Sequence, residues 1–521
     1  MNFTGITLQF LTKLLTTFLF LPSDWSLRDQ RTTCLSLGSR LHLENTTIIH
    51  VSYVPGGSKV HTLGTSRTCA PTAIVTVPLC RVQFFTNTTD TSSVHAEAWL
   101  PDEWYGRFLG LGNGGLGGCI DYNRLDYGAA LHFATVGSDN GHDGAGGLPF
   151  LGRPEVINDF AFRAIHIEAV IGKQIAEAYY GQPHDKAYYL GCSTGGRQGT
   201  QAALKYPADF DGILAGAPAT DFNHLVHWVA MLSRSTGAPT PASSPAYIPL
   251  RLWKVVTEEV LNQCDAIDGV LDGIITEPDA CDFRPQSLLC YGGAGVNDTC
   301  LSLPQVEALQ RIYSPLQLNG RFVYPRYDPG AEGNPESIEI FNGQIPSNGE
   351  DWIKYAVFND TEFDFRNYGN EHLVVMDKIN PGGISTFDGD LSAFRDRGGK
   401  FLTYHGRMDH LIASGNSKRF YDLVADTLGT PSLDDFYRLF LIPGMGHCLG
   451  GPGASNFGQL GAGTNAVNQS SHNILLALVD WVEGGVELDT ITGTTTDGAH
   501  TRVHCRYPAT SVWDGSAFVC S

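Results

Sequence analysis

Basic residues and long apolar runs are both scarce in this chain of 521 residues. Lysine and arginine number 34 against 54 aspartates and glutamates, which gives a formal net charge of −20. Such a charge repels nucleic-acid phosphates and anionic membranes, so neither is expected as a partner. No stretch after residue 22 is long and apolar enough to predict a membrane-spanning helix. Charged residues make up 17% of the chain and apolar residues 42%, which is typical of a globular protein.

The first 22 residues, MNFTGITLQFLTKLLTTFLFLP, indicate a signal or targeting segment. The apolar run 14–21 has the length of a signal-peptide core and is too short to span a bilayer. Lys13 is the only charged side chain in the segment, and no A-x-A cleavage site follows it. A misassigned start codon is the alternative interpretation of this segment.

Cysteine number and glycosylation sequons both favour an oxidising, secretory route. The 12 cysteines are even in number, as expected when they pair in disulfides. N-x-S/T sequons add acceptor sites for N-linked glycans. We therefore expect a secreted, extracellular glycoprotein. Its candidate glycosylation sites, beyond a sequon at Asn2, are Asn45, Asn87, Asn297, Asn359 and Asn468.

Alternating strand and helix signals occur in two blocks of the chain. A Thr/Val-rich segment at 48–98 first predicts antiparallel strands at the edge of a sheet. Apolar runs then alternate with segments of helical periodicity, and this order predicts parallel strands joined through βαβ units. The predicted strands are 107–112, 187–192, 210–217, 400–405 and 437–442, and the predicted helices are 158–180, 195–206, 414–427 and 472–484.

A turn-rich middle segment interrupts this α/β pattern. Residues from about 225 to 385 carry four cysteines and an acidic loop, without the strand and helix alternation. We predict one α/β domain made of 23–225 and 386–521, with an inserted domain at 226–385. An insertion between late strands of a parallel sheet lies above the carboxyl ends of the strands, where ligands bind. The inserted domain is therefore expected to act as a lid.

The pentapeptide Gly-Cys-Ser-Thr-Gly at 191–195 fits the G-x-S-x-G pattern. The pattern is common by chance, but here a predicted strand precedes it and a glycine-rich helix start follows it. This is the context of a nucleophile elbow, in which a tight strand-to-helix turn exposes a serine hydroxyl. Ser193 is therefore the predicted nucleophile. A plain turn or a phosphate-binding loop is the alternative interpretation.

A serine hydroxyl becomes a good nucleophile only when a histidine, itself held by a carboxylate, removes its proton. In α/β hydrolases the order along the chain is serine, acid, histidine. Asp409 and His447 follow two late predicted strands in that order, and they are the predicted acid and base. His405, Asp409 and His410 could instead form a metal site, but they straddle a turn and have no obvious distant partner.

A glycine-rich segment at 112–118 follows the first predicted parallel strand. Backbone without side chains can turn its N–H groups toward a developing oxyanion. The segment lies upstream of the elbow, where esterases carry their glycine-rich oxyanion loop. Gly114 and Gly115 are the predicted donors from this loop, together with the N–H of Thr194 beside the nucleophile.

Two cysteines flank the predicted catalytic pair. Cys192 directly precedes Ser193, and Cys448 directly follows His447. If the serine and the histidine are hydrogen-bonded, their chain neighbours are also close, and a Cys192–Cys448 disulfide becomes geometrically plausible. Either cysteine can also pair elsewhere, because 12 cysteines allow on the order of ten thousand connectivities.

The combined motifs resemble those of the fungal tannase and feruloyl esterase family, and within it the type B feruloyl esterases. The motifs are GNGG at 112–115, GCSTGG at 191–196, GRMDH at 406–410 and GMGHC at 444–448. The resemblance implies an α/β-hydrolase core with a lid, and a triad of Ser193, Asp409 and His447. The disulfides that it implies are Cys34–Cys80, Cys69–Cys119, Cys192–Cys448, Cys264–Cys281, Cys290–Cys300 and Cys505–Cys520.

The activity that this resemblance implies is hydrolysis of feruloyl, or hydroxycinnamoyl, esters of plant cell-wall polysaccharides such as xylan. The partner would be such a polysaccharide or a small phenolic ester. A tannase that hydrolyses galloyl esters is the alternative within the family, and an inactive polysaccharide-binding protein on a hydrolase scaffold is the alternative outside it. Trp228, Trp352 and Tyr355 could line an apolar slot for the feruloyl group, or could belong to the core.

An acidic loop, CDAIDGVLDGI, occupies residues 264–274 of the predicted lid. Three carboxylates crowded on one turn repel each other unless a cation joins them, and calcium favours such hard oxygen ligands. A solvated acidic turn is the alternative, because the spacing differs from that of an EF-hand. The family resemblance implies a structural calcium and no organic cofactor. The implied ligands are Asp265, Asp268 and Asp272, with backbone oxygens of Val270 and Ile274.

Overall fold

The computed structural model describes residues 30–290, 299–461 and 469–521. The predicted targeting segment at 1–22 and the sequons at Asn2, Asn297 and Asn468 lie outside these residues. Within the described ranges, no helix combines the length and the apolar character needed to cross a bilayer.

Strands and helices alternate along most of the described chain. The strands are β1 (Thr46–Val54), β2 (Ser58–His61), β3 (Thr72–Val75), β4 (Leu79–Asn87), β5 (Ser93–Pro101), β6 (Arg107–Leu111), β7 (Phe133–Ser138), β8 (Lys186–Cys192), β9 (Gly212–Gly216), β10 (Leu316–Leu318), β11 (Arg321–Tyr324), β12 (Lys400–Gly406), β13 (Tyr437–Ile442), β14 (Thr490–Thr494), β15 (Thr501–Cys505), β16 (Ser511–Trp513) and β17 (Phe518–Cys520). The helices are α1 (Gln30–Arg40), α2 (Tyr122–Ala130), α3 (Pro154–Asn158), α4 (Ala164–Tyr180), α5 (Thr194–Lys205), α6 (Phe222–Ser235), α7 (Leu250–Cys264), α8 (Leu303–Ile312), α9 (Ile338–Phe341), α10 (Ser347–Asp351), α11 (Asn370–Ile379), α12 (Ser392–Asp396), α13 (Gly415–Leu428) and α14 (Ile474–Gly484).

Nine of the described strands form one central sheet, in the order β1-β4-β5-β7-β6-β8-β9-β12-β13. The strands β1, β4, β5 and β7 pair antiparallel, which confirms the antiparallel edge predicted at 48–98. From β7 onward every pairing is parallel, as the alternation of strands and helices predicted. The mainly parallel sheet flanked by helices is that of an α/β hydrolase.

Helices cover both faces of this sheet because successive strand residues point to opposite sides. Phe108 of β6 packs with α4 on one face, and Leu109 packs with α2 and α14 on the other. All residues of β9 are buried, as expected for a central parallel strand covered on both faces. The carboxyl ends of β8, β9, β12 and β13 therefore lie in this order along one edge of the sheet.

A long insertion separates β9 from β12. It contains α6 to α11 and the β10–β11 hairpin, and its apolar side chains pack in one core with Leu116, Phe150 and Phe160 of the preceding segment. Trp228 and Trp352 are 1% and 0% exposed within that core, so the structure identifies both as core residues. The two ends of the insertion meet where Thr386 N–H donates to the Thr220 carbonyl at 2.7 Å. The domain boundaries at 225/226 and 385/386 stay predictions.

Disulfides close both short and long loops of the described chain, from 10 to 256 positions. All 12 cysteines are paired, in the six combinations that the family resemblance implied. Cys34–Cys80 ties α1 to the edge of the sheet, and Cys505–Cys520 ties β15 to β17. The Cys192–Cys448 bond spans 256 positions of chain and lies at the end of β8.

Candidate active site

Ser193 occupies the turn between β8 and α5. Its φ is +64° and its ψ is −123°, a conformation that L-residues rarely adopt. The backbone holds it there: Ser193 N–H donates to the Gly216 carbonyl at 2.9 Å, and its own carbonyl accepts from Ala219 N–H at 3.1 Å. Such a held, uncommon conformation is a frequent feature of functional turns.

The glycines of the G-x-S-x-G pattern are required by close backbone packing. A Cβ atom on Gly191 would lie 2.6 Å from the Gly195 carbonyl oxygen. A Cβ atom on Gly195 would lie 3.0 Å from the Asn113 carbonyl oxygen. The pattern is therefore explained by the tight turn and by the approach of the 112–118 loop to the start of α5.

Asp409 and His447 come together at the ends of neighbouring strands. Asp409 follows β12 and His447 follows β13, and these strands pair in parallel. The Nδ1–H of His447 donates to Oδ2 of Asp409 at 2.7 Å. The other carboxylate oxygen, Oδ1, accepts from the backbone N–H groups of Leu411 and Ile412, each at 2.9 Å. The acid is thus fixed from both sides, and Nε2 is the ring nitrogen left to receive a proton.

The electrostatics of this pair suit a general base. Burial alone would raise the pKa of Asp409, but the neighbouring His447 and His405 rings outweigh burial and hold that pKa well below its usual range. Burial opposes a charge on His447, yet the Asp409 carboxylate outweighs burial and raises the pKa of His447 above its usual value. Asp409 is therefore ionised, and it stabilises the imidazolium that forms when His447 takes a proton.

The Cys192–Cys448 disulfide joins the two halves of the site. Its Cα atoms are 6.0 Å apart, with Ser193 following one cysteine and His447 preceding the other. Cys448 also has a positive φ, +67°, so the chain turns sharply directly after the histidine. The predicted nucleophile and base are consequently tethered through their immediate neighbours.

The predicted oxyanion loop is anchored beside the elbow. Asn113 N–H donates to Gln198 Oε1 at 2.9 Å, and the Asn113 side chain donates to the Ser138 carbonyl at 2.9 Å. Thr194 Oγ1 donates to the Gly115 carbonyl at 2.6 Å, so the helix start and the loop are linked directly. Within the described ranges, no acceptor takes the N–H groups of Gly114, Gly115 or Thr194. Their role as oxyanion donors stays a prediction.

A cavity of about 510 Å³ opens beside Ser193 and the oxyanion loop. Its apolar wall comes mainly from α6 and from the loop after Asp409. Polar side chains come from the 339–348 segment of the insertion. The apolar lining consists of Leu116, Ala219, Phe222, Leu225, Val226, Val229, Ile345, Pro346, Leu411 and Ile412, and the polar side chains are Glu339, Asn342, Gln344, Ser347 and Asn348.

The lid aromatics singled out from the sequence are absent from the lining of this cavity. Trp228 stacks with Tyr327, and Trp352 donates its indole N–H to Asn223 Oδ1 at 3.2 Å. Tyr355 is half-buried and packs against the insertion core. Apart from Phe222 the apolar wall is aliphatic, and the periodic apolar residues on α6 are the sequence signal that could have identified it.

His405 and His410 both lie near the triad. His405 Nε2 is 3.2 Å from Asp409 Oδ2, while His410 Nδ1 accepts from Asn334 at 3.3 Å. Among the residues that the structure describes, no three His, Cys, Asp or Glu side chains are grouped so as to hold a metal ion. The contact of His405 with the acid is a feature that sequence reasoning missed, because His405 lies on β12 and Asp409 in the loop after it.

In the acidic loop at 264–274, each aspartate accepts a local backbone N–H. Asp265 accepts from Gly273 at 3.1 Å, Asp268 from Val270 at 3.0 Å, and Asp272 from Ile274 at 3.0 Å. Burial, followed by the charges of Asp268 and Asp265, raises the pKa of Asp272. The carboxylates therefore repel one another in the structure. That donor chemistry fits a hard cation, although the side chains do not converge on one point.

The predicted glycosylation sites that the structure describes are on the surface. Asn45, Asn87 and Asn359 are all exposed, and Asn45 and Asn87 lie at the paired ends of β1 and β4. Exposure of the sequon is required for access by a glycosyltransferase, so these three positions are compatible with modification.

Comparison with known proteins adds to this geometry. A sequence model of the family described as tannase and feruloyl esterase matches residues 80–521. A protein of Neosartorya fischeri named probable feruloyl esterase B-2 is 44% identical over 492 residues, which are 92% of this chain and 93% of that protein. A protein of Aspergillus clavatus named probable feruloyl esterase B is 42% identical over 495 residues, 93% of each chain.

Solved structures share the fold. The crystal structure of feruloyl esterase B from Aspergillus oryzae superposes with a TM-score of 0.90 at 39% identity, covering 94% of this chain and 100% of that one. The tannin acyl hydrolase from Aspergillus niger superposes with a TM-score of 0.72 at 23% identity, covering 94% and 95%. The second likeness supports the fold alone.

Proposed function

Because the chain belongs to the tannase and feruloyl esterase family, we propose that it is a serine esterase that hydrolyses feruloyl and related hydroxycinnamoyl esters. The observation that carries this proposal is the tethered site. Ser193 lies on an elbow, and the Cys192–Cys448 bond joins that elbow to the loop of His447, which donates to Asp409 at 2.7 Å.

The reaction proceeds in two steps. His447 accepts the Ser193 hydroxyl proton at Nε2, because its Nδ1–H is engaged by Asp409. The serine oxygen attacks the ester carbonyl, and the N–H groups of Thr194, Gly114 and Gly115 stabilise the oxyanion. His447 then gives the proton to the leaving alcohol. Water, activated by the same histidine, releases ferulate from the acyl-enzyme.

The cavity supports a feruloyl rather than a galloyl acid group. A galloyl ring carries three hydroxyls, and each would need a hydrogen-bond partner on burial. Leu225, Val226 and Val229 present an aliphatic wall that suits a propenyl linker and a methoxy group, both of which a galloyl group lacks. Asn342 and Asn348 lie in the same lining and can bind the single phenolic hydroxyl.

We extend the proposal to the natural substrate and its setting. Feruloyl groups are esterified to plant cell-wall polysaccharides such as xylan, so the leaving alcohol would be a sugar hydroxyl. Action on such a polymer requires an enzyme outside the cell. The paired cysteines and the exposed sequons at Asn45, Asn87 and Asn359 support a secreted, glycosylated protein. Peptide mapping of the protein secreted by its host tests both points.

We also propose that the acidic loop binds calcium. Asp265, Asp268 and Asp272 would supply carboxylates, and the backbone oxygens of Val270 and Ile274 would complete the shell. Burial, followed by the charges of Asp268 and Asp265, raises the pKa of Asp272, and a cation bound there would offset both effects. Bound calcium would stabilise this part of the insertion and has no part in the chemistry.

The substrate proposal is tested by comparing kcat/KM for methyl ferulate and methyl gallate. We expect a clear preference for methyl ferulate. A preference for methyl gallate would instead identify a tannase. The matched background control is Ser193→Ala, in which we expect kcat to fall on the order of a million-fold. An inactive polysaccharide-binding scaffold would hydrolyse neither ester and would not react with a fluorophosphonate.

A further inference from the structure

The carboxylate of Asp409 is contacted by a second histidine. Oδ1 accepts from the N–H groups of Leu411 and Ile412, and Oδ2 lies 2.7 Å from His447 Nδ1 and 3.2 Å from His405 Nε2. One oxygen of the predicted acid is thus shared by two imidazoles. The side chains of Asp409 and His405 are both 0% exposed, so water does not compete for the contact between them.

The surroundings of His405 determine where its ring hydrogen lies. Nε2 is 3.2 Å from Asp409 Oδ2 and 3.0 Å from the Ile412 carbonyl oxygen, and both of these atoms can only accept. Nε2 therefore carries a hydrogen. Nδ1 lies 2.7 Å from Ser417 Oγ on α13, a hydroxyl that can donate to it. In the neutral Nε2–H tautomer this single hydrogen is shared between the Ile412 carbonyl oxygen, its hydrogen-bond acceptor, and the nearby Asp409 Oδ2, while Nδ1 accepts from Ser417.

We propose that His405 is a positioning residue of the triad, whose Nε2–H holds Asp409 Oδ2 in place. The same N–H partly neutralises the negative charge of the carboxylate, so that Asp409 does not over-stabilise protonated His447. This inference rests on the proposed esterase mechanism and deepens it. His405 touches neither substrate nor the reacting atoms. It acts through Asp409, and its own position is fixed by β12 on one side and by Ser417 of α13 on the other.

The charge state of His447 depends on Asp409, which touches it, and on three more distant groups. Asp409 is in direct contact, the His410 ring is 6.1 Å away, and Glu336 and Glu339 act from the insertion. His410 is held by Asn334, and both glutamates are exposed to solvent, which screens them. The shared Asp409 oxygen is therefore the strongest route by which a change at His405 reaches His447.

The test compares two variants that differ by one methylene. His405→Asn is polar and can keep the Ser417 contact, but it is too short to reach Asp409. His405→Gln extends an amide N–H to about the position of the imidazole Nε2–H. In H405N we expect kcat to fall on the order of tenfold or more at unchanged KM. We also expect the acid limb of the pH profile of kcat/KM to move to higher pH. Without the His405 N–H the Asp409 carboxylate keeps more of its negative charge and favours protonated His447.

In H405Q both kcat and the acid limb should return toward wild type. The control is His504→Asn, which changes another fully buried histidine that donates from Nε2 to a carbonyl, that of Ala454, at 2.7 Å. We expect H504N to lower the melting temperature without moving the pH profile. An H405N variant that behaves like H504N, less stable but with an unchanged pH profile, would overturn the proposal.

The measurements use p-nitrophenyl acetate as well as methyl ferulate. If wild type hydrolysed the acetate but not the ferulate, the substrate proposal would fail while the role of His405 could still be measured. A second observable needs no variant. In protein labelled with ¹⁵N-histidine, nuclear magnetic resonance should show His405 as the Nε2–H tautomer. Detection of the Nδ1–H tautomer would contradict the proposal even if H405N failed to fold.

Discussion

Cys192 and Cys448 are bonded to each other with their Cα atoms 6.0 Å apart, so the residue before Ser193 is joined to the residue after His447. The two elements that carry these cysteines, β8 and the loop after β13, are not adjacent in the sheet, because β9 and β12 lie between them. The bond therefore adds a direct constraint between nucleophile and base that the sheet alone does not supply.

Removal of this bond in a C192A/C448A double variant should lower activity while the protein still folds. The bond closes a loop of 256 positions, and the chain-entropy model gives an upper value of about 5 kcal/mol for its effect on stability. We expect a larger effect on kcat than on KM, because Ser193 and His447 are no longer held at a fixed position relative to each other. The measurements are kinetics on methyl ferulate and a melting curve.

The matched control for the tether is C505A/C520A, which removes a disulfide of 15 positions in the C-terminal region. We expect that variant to be less stable but to keep its kcat. If C192A/C448A had wild-type kinetics, the disulfide would not be needed to set the catalytic geometry.

The pH dependence of activity should follow His447. Its pKa is raised by Asp409 above the usual value, and the base acts only when neutral, so kcat/KM should fall as pH decreases through that raised pKa. In Asp409→Asn the carboxylate charge is lost, the acid limb should move to lower pH, and kcat should fall about 10⁴-fold. A pH–rate profile of both proteins measures the shift, and an unmoved limb would argue against Asp409 as the partner.

The same pair should affect stability with the opposite dependence. Because the folded pKa of His447 is raised, its ion pair stabilises the fold fully below the unfolded value of about 6.5. That contribution is lost as pH rises through the folded pKa. The pair is thus most stabilising where the enzyme is least active. The measurement is the melting temperature of wild type and of D409N across this pH range. The difference between the two melting temperatures should become smaller as pH rises.

The motifs of the site could be predicted because each is local. The elbow, the acid loop and the histidine loop each follow an apolar strand, and the order of serine, acid and base limits the choice. The strand β7 was not predicted, although it lies between β5 and β6 in the sheet. Its sequence, FATVGS, is short and mixes small residues with one aromatic, so it carries no clear periodicity.

The cavity wall and the second histidine could not be predicted because both depend on packing between distant segments. Val229 of α6 and Ile345 of the insertion line the same cavity, although more than a hundred positions separate them. The sequence indicates His405 only as a possible metal ligand, because its spacing to Asp409 does not reveal which atom its ring faces. The sequence also does not show that Trp228 and Trp352 belong to the core rather than to the cavity lining, because tertiary contacts determine which side chains are buried.

The aliphatic wall should contribute to substrate affinity. Val229 lines the cavity on α6, and Val229→Thr replaces one methyl group by a hydroxyl at nearly constant volume. We expect KM for methyl ferulate to rise roughly fivefold, with little change in kcat, because the substrate loses an apolar contact of about 1 kcal/mol. The control is Val256→Thr in α7, a fully buried core residue outside the cavity, which should lower stability and leave KM unchanged. Equal KM in V229T and wild type would place the acid group elsewhere.

Calcium should raise the melting temperature if the acidic loop binds it. A ligand that binds only the folded state stabilises it by about 2.7 kcal/mol at a hundred times its dissociation constant. We therefore expect Tm to rise by a few degrees on adding calcium to protein treated with a chelator. Asp272→Asn should abolish the calcium-dependent part of Tm, and it should raise Tm slightly without calcium because it removes one repelling charge. The matched control is Asp497→Asn, in another acidic turn where a single aspartate accepts from Thr495 and Ala499. That variant should keep the full response of Tm to calcium. Loss of the response in D497N would place the calcium outside the 264–274 loop, and so would its persistence in D272N.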